Sequence, residues 1–567
     1  MPDSPYVGQR LSYDGALCTV RYIGQVAGTT GLWLGVEWDD HTRGKHDGSH
    51  KGHRYFTTTS KSALAASFIR PTRRADQPQS FISALREKYA PDADGENPNH
   101  PDRQIVIFGT KVAQEMGFDK IQRQLAKLED LKIVILDSMK VAGIREEEGK
   151  IGQTCPSIMQ LDLSRNLLEK VEDVVHICHE LGALRELSLS GNRLQGVLED
   201  KSLDDCSEAF DRITELALED TLLDWHEITR MATAFTSLGS LNAGSNQLSS
   251  LPLVDYASLA STLSNLNLEY NDFTSLEDLS SLQGLTNLRS LHLKGNNLSK
   301  ISSGPVFPVS IQYLDVSYNQ ISSWSFVDSL PRHFPSLSAL RIAHNPIYEM
   351  PDPDAKDATG SPEDAYMFTI ARMADLKSLN YTAVSASDRA NAEMFYLSRI
   401  ARQLGAAPES EEADIKKSHP RWTSLCEQYG EPDIVRRNEV NPAFLEARLV
   451  NIVFRGANVE KETRVPKSFD IYRLKGIAGK LLGLPPLDMK LVWETGEWDP
   501  VAGYEDVAGD SSDEEDNADD AEDKAEDGGD GERPGRWVRR EVELKDGPRQ
   551  LGYCVDGLDA VIRVERV

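Results

Sequence analysis

Between Gly31 and Phe56 the chain gathers Arg43, Lys45, Lys51 and Arg54 among Trp33, Trp38, Tyr55 and Phe56, with glycines at 31, 35, 44, 48 and 52. Cations beside flat apolar walls suit an extended acidic peptide, and glycines let backbone N–H groups approach its terminal carboxylate closely. The candidate groove residues are Trp33, Trp38, Lys45, His46, Asp47, Gly48, Arg54, Tyr55 and Phe56. Some of these aromatics, Tyr55 among them, equally suit the interior of a small barrel. His41, His46, His50 and His53 crowd the same stretch. Even with Cys18 they match no common zinc framework, so they read as solvated loop side chains and no metal is expected.

No catalytic residue and no cofactor is expected either. From Gly143 to Lys150 there is one spacer too many for a phosphate-binding loop, and no Ser or Thr follows the lysine. His226-Glu227 lacks a second histidine at zincin spacing, and neither G-x-S-x-G nor G-x-G-x-x-G occurs. The formal charge of −28 leaves no basic footprint for nucleic acid. Half of that charge sits at 505–532, which holds fifteen acids and one lysine. Six cysteines without a CxxC pair point to a reducing compartment. The start MPDSPYVGQR does not read as a signal peptide, and runs such as LKIVIL are too short to cross a bilayer. A cytoplasmic, non-membrane protein is expected.

The elements that must position the groove are short strands over residues 1–75, separated by turns such as YDG and HDGS. Residues 76–130, with Pro78, Pro91, Pro98 and Pro101 around a short helix near 80–90, read as a linker and the N-terminal region of the solenoid. Residues 131–350 then repeat, from LKIVILDSM at 131 through IMQLDLSRN at 158 and LRSLHLKGN at 288 to LSALRIAHN at 337. The ninth positions fall 23 to 29 residues apart, and seven of nine are asparagine, with Met139 and Thr221 as the exceptions. That is the leucine-rich repeat template. Its L-x-L step makes a short strand, successive strands pair in parallel, and the asparagine amide satisfies backbone groups of the adjacent repeat. Residues between the leucines face a concave surface that binds proteins; there Asp137, Asp162, Glu186, Glu215, Glu219 and Glu269 precede any base before Lys294.

Residues 351–440 switch to helical spacing, as at Tyr366, Ile370 and Met373, and are expected to cap the solenoid and connect it onward. Residues 441–567 return to strands: ARLVNIVFRG, MKLVWET, VRREVEL and DAVIRVERV. Ser468 is the expected N-cap of a helix presenting Ile471, Leu474, Ile477 and Leu481 on one face. Strands around one helix in this order are expected to form a β-grasp, ubiquitin-like domain. The insertion 505–532 has almost no apolar residue, so it is expected to be disordered and dispensable for folding.

Gly44-Lys45-His46-Asp47-Gly48, preceded by G-x-W-x-G-V from Gly31 and followed by G-x-R-Y-F from Gly52, resembles the signature of CAP-Gly domains. The final domain lacks a terminal Gly-Gly, so it looks like a fixed docking domain. The expected fold class is multidomain α+β: a small all-β CAP-Gly barrel, a leucine-rich repeat α/β solenoid with helical cap, and a β-grasp ubiquitin-like domain. In that order these modules resemble the tubulin-folding cofactor E family. Further similarity lies in the helical stretch ADLKSLN (374–380), around RANAEMFY (389–396) and in SHPRWTSLCEQYGEPD (418–433). The resemblance implies a non-enzymatic, post-chaperonin chaperone, cytoplasmic and cytoskeleton-associated. It would bind α-tubulin and its acidic C-terminal tail, and act with tubulin-folding cofactors B, C and D in assembling and dissociating the αβ-heterodimer. Two alternatives remain open. One is a microtubule-associated CAP-Gly adaptor; the other is an adaptor docking on the proteasome through the ubiquitin-like domain for tubulin turnover.

Overall fold

A computed structural model describes residues 4–90, 127–143, 150–204, 206–301, 304–349, 362–434, 448–456, 459–500, 537–555 and 557–566. The acidic insertion 505–532 lies outside the described residues. The chain divides into two compact units, Met1–Thr359 with Asp375–Thr382, and Gly360–Ala374 with Ala383–Val567. No helix among the described residues is long and apolar enough to cross a membrane.

The first unit opens with four antiparallel strands, Arg10–Tyr13, Ala16–Gln25, Leu32–Trp38 and Ala66–Ile69, paired in that order. Asp14 and Gly15 both take positive φ (54° and 80°), the two-residue turn whose twist matches the strands it joins. Alternation along the strands buries Tyr13, Cys18, Val20, Leu34, Val36 and Trp38 in one small core.

The repeats form a solenoid. Three-residue parallel strands run from Ile133–Ile135 to Ala339–Arg341, with Leu161, Leu187, Leu216, Leu241, Leu266, Leu291, Leu314 and Leu340 stacked in register and at most 2% exposed. Strands this short do not hold their turns by pairing alone. The asparagines do so: Asn271 Nδ2 donates to the carbonyls of Ala243 (3.1 Å) and Leu268 (3.0 Å), and its Oδ1 accepts from the N–H groups of Asn246 and Leu248 (both 3.0 Å). Asn166, Asn296, Asn319 and Asn345 repeat the arrangement, all nearly inaccessible. Thr221 keeps half of it, donating to the Leu218 carbonyl while Asn246 receives its N–H.

Both ends of the solenoid are covered by segments outside the nine repeats. The helix Phe81–Tyr89, expected within a linker, is N-capped by Ser80 and fully buries Phe81, Ala84 and Leu85. Tyr89 Oη accepts from Ile135 N–H at 2.9 Å, covering one N–H on the first strand's open edge. The scattered prolines obscured this i, i+3, i+4 face. At the other end ADLKSLN is not helical. Ser378–Leu379 pairs with Ala339–Arg341, and Asn380 Oδ1 accepts from Ile342 and Ala343 N–H. An abbreviated Leu-x-x-Leu-Asn thus extends the sheet beyond residue 350.

The second unit joins the helices Pro362–Arg372, Ala386–Ala406, Glu412–Ser418 and Trp422–Tyr429 to a five-stranded sheet. Glu393, 1% exposed, is compensated by Arg421 (2.6 Å) and Tyr429 Oη (2.7 Å). The strands lie in the order Glu460–Pro466, Leu449–Arg455, Asp559–Arg566, Met489–Pro500, Trp537–Glu543, with the second and third parallel. The helix Ile471–Leu482 buries Ile471, Leu474 and Ala478 against them. Its N-cap is Asp470, which accepts from Arg473 N–H at 2.8 Å, and not Ser468. The helix therefore starts later than expected, and Leu481 is 36% exposed.

Asn271→Ala leaves the Ala243 carbonyl and the Asn246 and Leu248 N–H groups buried without their partner, while Asn296 Nδ2 still reaches the Leu268 carbonyl, and should lower unfolding free energy by about 2–4 kcal/mol in denaturant titration. A loss below about 1 kcal/mol would mean that water replaces the amide. His419 supplies a pH test for the second unit. Its ring nitrogens meet Tyr396 Oη (2.7 Å) and Gln403 Oε1 (2.9 Å), and burial, then the Arg372 charge, pulls its pKa down to about 4. The unfolded imidazole titrates near 6.5. As pH falls from there towards 4 the unfolded chain takes up the proton first, so stability falls. Denaturation midpoints should show a loss of about 1–2 kcal/mol, allowing for partial exposure, and His419→Gln should flatten that slope.

Candidate functional site

Gly44 cannot carry a Cβ, which would lie 2.2 Å from the Leu64 carbonyl oxygen. The close approach arises because Lys45 and His46 N–H both donate to the Ala66 carbonyl, and the His46 carbonyl accepts from Ala66 N–H. The segment 44–48 is thereby clamped onto a barrel strand. Gly48 takes φ +92°, and a Cβ there would meet the Phe56 carbonyl at 2.1 Å.

This clamp brings His46, Tyr55, Phe56 and Phe68 together, with Tyr22 beside them. Phe68 lies 4.8 Å from His46, 5.4 Å from Tyr55 and 5.9 Å from Phe56 by ring centroids, and Tyr22 lies 5.4 Å from Tyr55. Phe56 is 8% exposed and forms the floor: a Cβ on Gly35 would come within 2.3 Å of its ring. His46 Nδ1 accepts from Gly48 N–H at 3.1 Å, which leaves the proton on Nε2. That nitrogen is buried and without a partner among the described residues. Burial, then the neighbouring His50, holds the ring's pKa below its ordinary value.

Asp47 accepts from Ser49 Oγ and from Arg54 Nη2 (2.7 Å), and these bonds hold its carboxyl well below the usual range. Arg54 also donates to the Asp47 carbonyl at 3.1 Å, so it braces the loop, leaving Lys45 and Lys51 as exposed cations at this mouth. Trp38 does not belong to the groove. Strand alternation turns it away from Gly35 into the core, 5% exposed, with its indole N–H on Ser67 Oγ. Trp33 shares the Gly35 side of the strand, but its ring carries the Arg70 guanidinium at 3.7 Å. Tyr22 and Phe68 were missed in the sequence. Tyr22 follows a β-bulge after Val20, which breaks the alternation that would have marked it.

On the solenoid Asp162, Glu186 and Glu215 line the concave hollow, together with the exposed Ile133 and Ile135. Asp137, Glu219 and Glu269 lie beyond their strands, at the turn edge. Asp137 is paired with Arg165 (2.6 Å), Glu219 accepts from Asn242 Nδ2 (3.3 Å), and Glu269 faces His292 (3.6 Å). Arg165 is thus a base among the first repeats, where none was expected. Glu269, His292 and Asp315 converge, but Asp315 is already paired with Arg341 at 3.1 Å.

The barrel docks on the same turn edge. Arg10, with its side chain inaccessible, forks onto Asp39 and reaches the Asn166 carbonyl (3.2 Å), while its N–H donates to Glu169 (2.7 Å). Tyr6 Oη also meets Glu169, Gln195 meets the Gly8 carbonyl, and Lys61 bridges Gln247 and Asp272. The Arg10 charge holds the Asp39 pKa down against the burial that would raise it. The aromatic cluster of the barrel and the repeat surface therefore belong to one unit.

A model of the CAP-Gly domain matches residues 7–74, and one of the leucine rich repeat matches 261–321. The barrel and solenoid thus define a CAP-Gly protein built on leucine-rich repeats. The chain is 31% identical over 513 residues to tubulin-specific chaperone E of Bos taurus, spanning 87% of this chain and 93% of that protein. It is 30% identical over 504 residues to the Xenopus laevis protein of that name (86% and 92%), and 27% over 505 residues to that of Drosophila melanogaster (84% and 89%). The chain belongs to the tubulin-specific chaperone E family.

Arg10→Ala strands the nearly buried Asp39 carboxylate and should cost about 3–5 kcal/mol in the first unit. Glu169→Ala is the milder variant. Amide exchange should rise several-fold across residues 6–10 while the strands at 240–292 keep their protection. Unchanged exchange at 6–10 would mean that Glu169 does not hold the barrel.

Proposed function

We propose that the protein is a non-enzymatic chaperone that takes up α-tubulin after chaperonin release. It acts with tubulin-folding cofactors B, C and D in assembling and dissociating the αβ-heterodimer, in the cytoplasm and at the cytoskeleton. The groove of His46, Tyr55, Phe56 and Phe68, with Lys45 at its mouth, reads the acidic C-terminal tail of α-tubulin. The concave repeats hold the tubulin body. The last domain is read as a β-grasp, ubiquitin-like docking module, since its sheet carries two hairpins around a parallel central pair with one helix across it.

One observation carries the tail-reading step. His46 presents an Nε2–H donor, fixed in tautomer by Gly48, inside an aromatic cluster that supplies no acceptor for it. A carboxylate beside an aromatic terminus supplies what is missing: an acceptor for that donor, a charge for Lys45 and a ring for Phe68.

Lys45→Ala should weaken binding of an α-tubulin tail peptide by about 1–3 kcal/mol in titration calorimetry, and the remaining affinity should fall less steeply with salt. A peptide lacking its last aromatic residue should bind weakly to the unaltered chain. Phe56→Ala requires a folding control, because Phe56 is the groove floor. Equal binding of both peptides, together with no effect of Lys45→Ala, would exclude tail reading.

A further inference from the structure

The residue before each repeat asparagine takes a left-handed backbone, as at Ser245 (φ 56°), Tyr270 (55°), Gly295 (70°), Tyr318 (56°) and His344 (58°). Glycine adopts this conformation freely, and bulky side chains pay for it in strain. Repeats in the first half place Ser, Asp or Gly there in all but one case, Arg165. Towards the last repeats the position turns aromatic, and the aromatics are not packed into a core. Tyr270 is 51% exposed, Tyr318 46% and, past the last strand, Tyr381 (φ 69°) 71%. Such residues contribute little to folding where they stand.

They are organised around two cations. Lys294 Nζ lies 5.4 Å from the Tyr270 ring centre and 5.2 Å from that of Tyr318, and His344 stacks on Tyr318 at 4.2 Å. Gly295 makes this possible: a Cβ there would lie 2.4 Å from the Tyr270 ring. Arg341 lies 4.6 Å over the Tyr381 ring and donates to its Oη at 2.7 Å. Arg341 is also paired with Asp315. Lys294 forms no ion pair among the described residues; a hydrogen bond to Tyr270, and then the nearby Glu269 charge, raise its pKa above the ordinary value. Tyr313 and His292, in ring contact at 5.0 Å, continue the patch onto the strands. Exposed, ordered tyrosines around cations have the composition of an interface hot spot.

The geometry points to a second docking surface, the aromatic–cationic rim of Tyr270, Lys294, Tyr318, Arg341 and Tyr381, for an acidic segment on the body of a protein partner. The tyrosines already surround their own cations, so a basic guest would meet like charge, whereas carboxylates would find in Lys294 an exposed cation outside any ion pair among the described residues. The first half of the concave face, with Asp162, Glu186 and Glu215, has the opposite sign. The solenoid therefore accepts its client in one orientation, with an acidic segment at the late repeats and a basic one at the early repeats. This rests on the reading of the repeats as the client-holding face.

The test uses the full chain, purified αβ-tubulin whose acidic tails have been removed by proteolysis, and the isolated tail peptide. Lys294→Glu and the double change Tyr270→Gly with Tyr318→Gly should each weaken binding of the tail-less dimer at least tenfold and leave tail-peptide affinity unchanged. The glycine variant should keep or raise its thermal midpoint, because glycine relieves the left-handed strain; a structural role for the tyrosines would lower it. Wild-type affinity in both variants overturns the inference and leaves the client-holding reading intact. Tighter binding by Lys294→Glu also overturns it, making the occupant basic. If the unaltered chain fails to hold the tail-less dimer, the client-holding reading falls and takes the rim with it.

Discussion

The buried asparagine amide is the interaction on which the rest of this molecule depends. Each solenoid strand contributes three residues to its sheet, too few for backbone pairing to fix where the chain goes next. An amide placed at the turn supplies two donors and an acceptor to backbone groups of its own and neighbouring repeats. It also sets the residue before it in the left-handed region, and so decides which side chains stand on the rim. Thr221 marks the tolerance of the device: one hydroxyl meets the Leu218 carbonyl, and Asn246 from the next repeat covers the N–H.

The same turns receive the barrel. Glu169 and Gln195 stand three residues after an asparagine, and Gln247 and Asp272 one residue after, so a regular backbone aligns them along one edge. Arg10 occupies the tightest part of this junction, where its fork neutralises Asp39 and its remaining capacity reaches a repeat carbonyl. A charge so enclosed contributes less to net stability than to uniqueness of placement, since any shifted docking would leave Arg10 or Asp39 buried alone. The barrel with its aromatic cluster is thus held on the solenoid by contacts that tolerate little displacement.

The repeats were legible in the sequence because a period is a global signal that single substitutions at Met139 and Thr221 do not erase. The groove loop was legible because glycines at 44 and 48 stand where backbone or ring occupies the space a Cβ would need. What escaped was decided by tertiary context. Trp38 reads like a groove aromatic until strand alternation assigns it to the core, and Tyr22 and Phe68 reach the groove through a bulge and a distant strand. Ser468 and Asp470 are both good N-caps, and packing of Ile471 and Leu474 chose between them. ADLKSLN has helical propensity, but an open sheet edge next to it offered Leu379 a better partner in Leu340.

Local preference and final structure agree over most of the solenoid: leucines inward, asparagines buried, and, Arg165 apart, small or glycine residues at the left-handed position before the early repeat asparagines. They disagree along the late rim, where Tyr270, Tyr318, His344 and Tyr381 occupy left-handed positions without burial in return. A local rule broken several times on one edge, with a glycine placed to seat one of the rings, is a directional departure and not drift. Had the tyrosines served packing, burial would offset their strain; had they served solubility, serine would do as well, as it does at Ser245. The proposed docking rim gives those exposed rings a role outside the chain. On that proposal, opposite charge at the two ends of the solenoid would make the contact directional, so that a client wrongly turned would meet like charge at both ends.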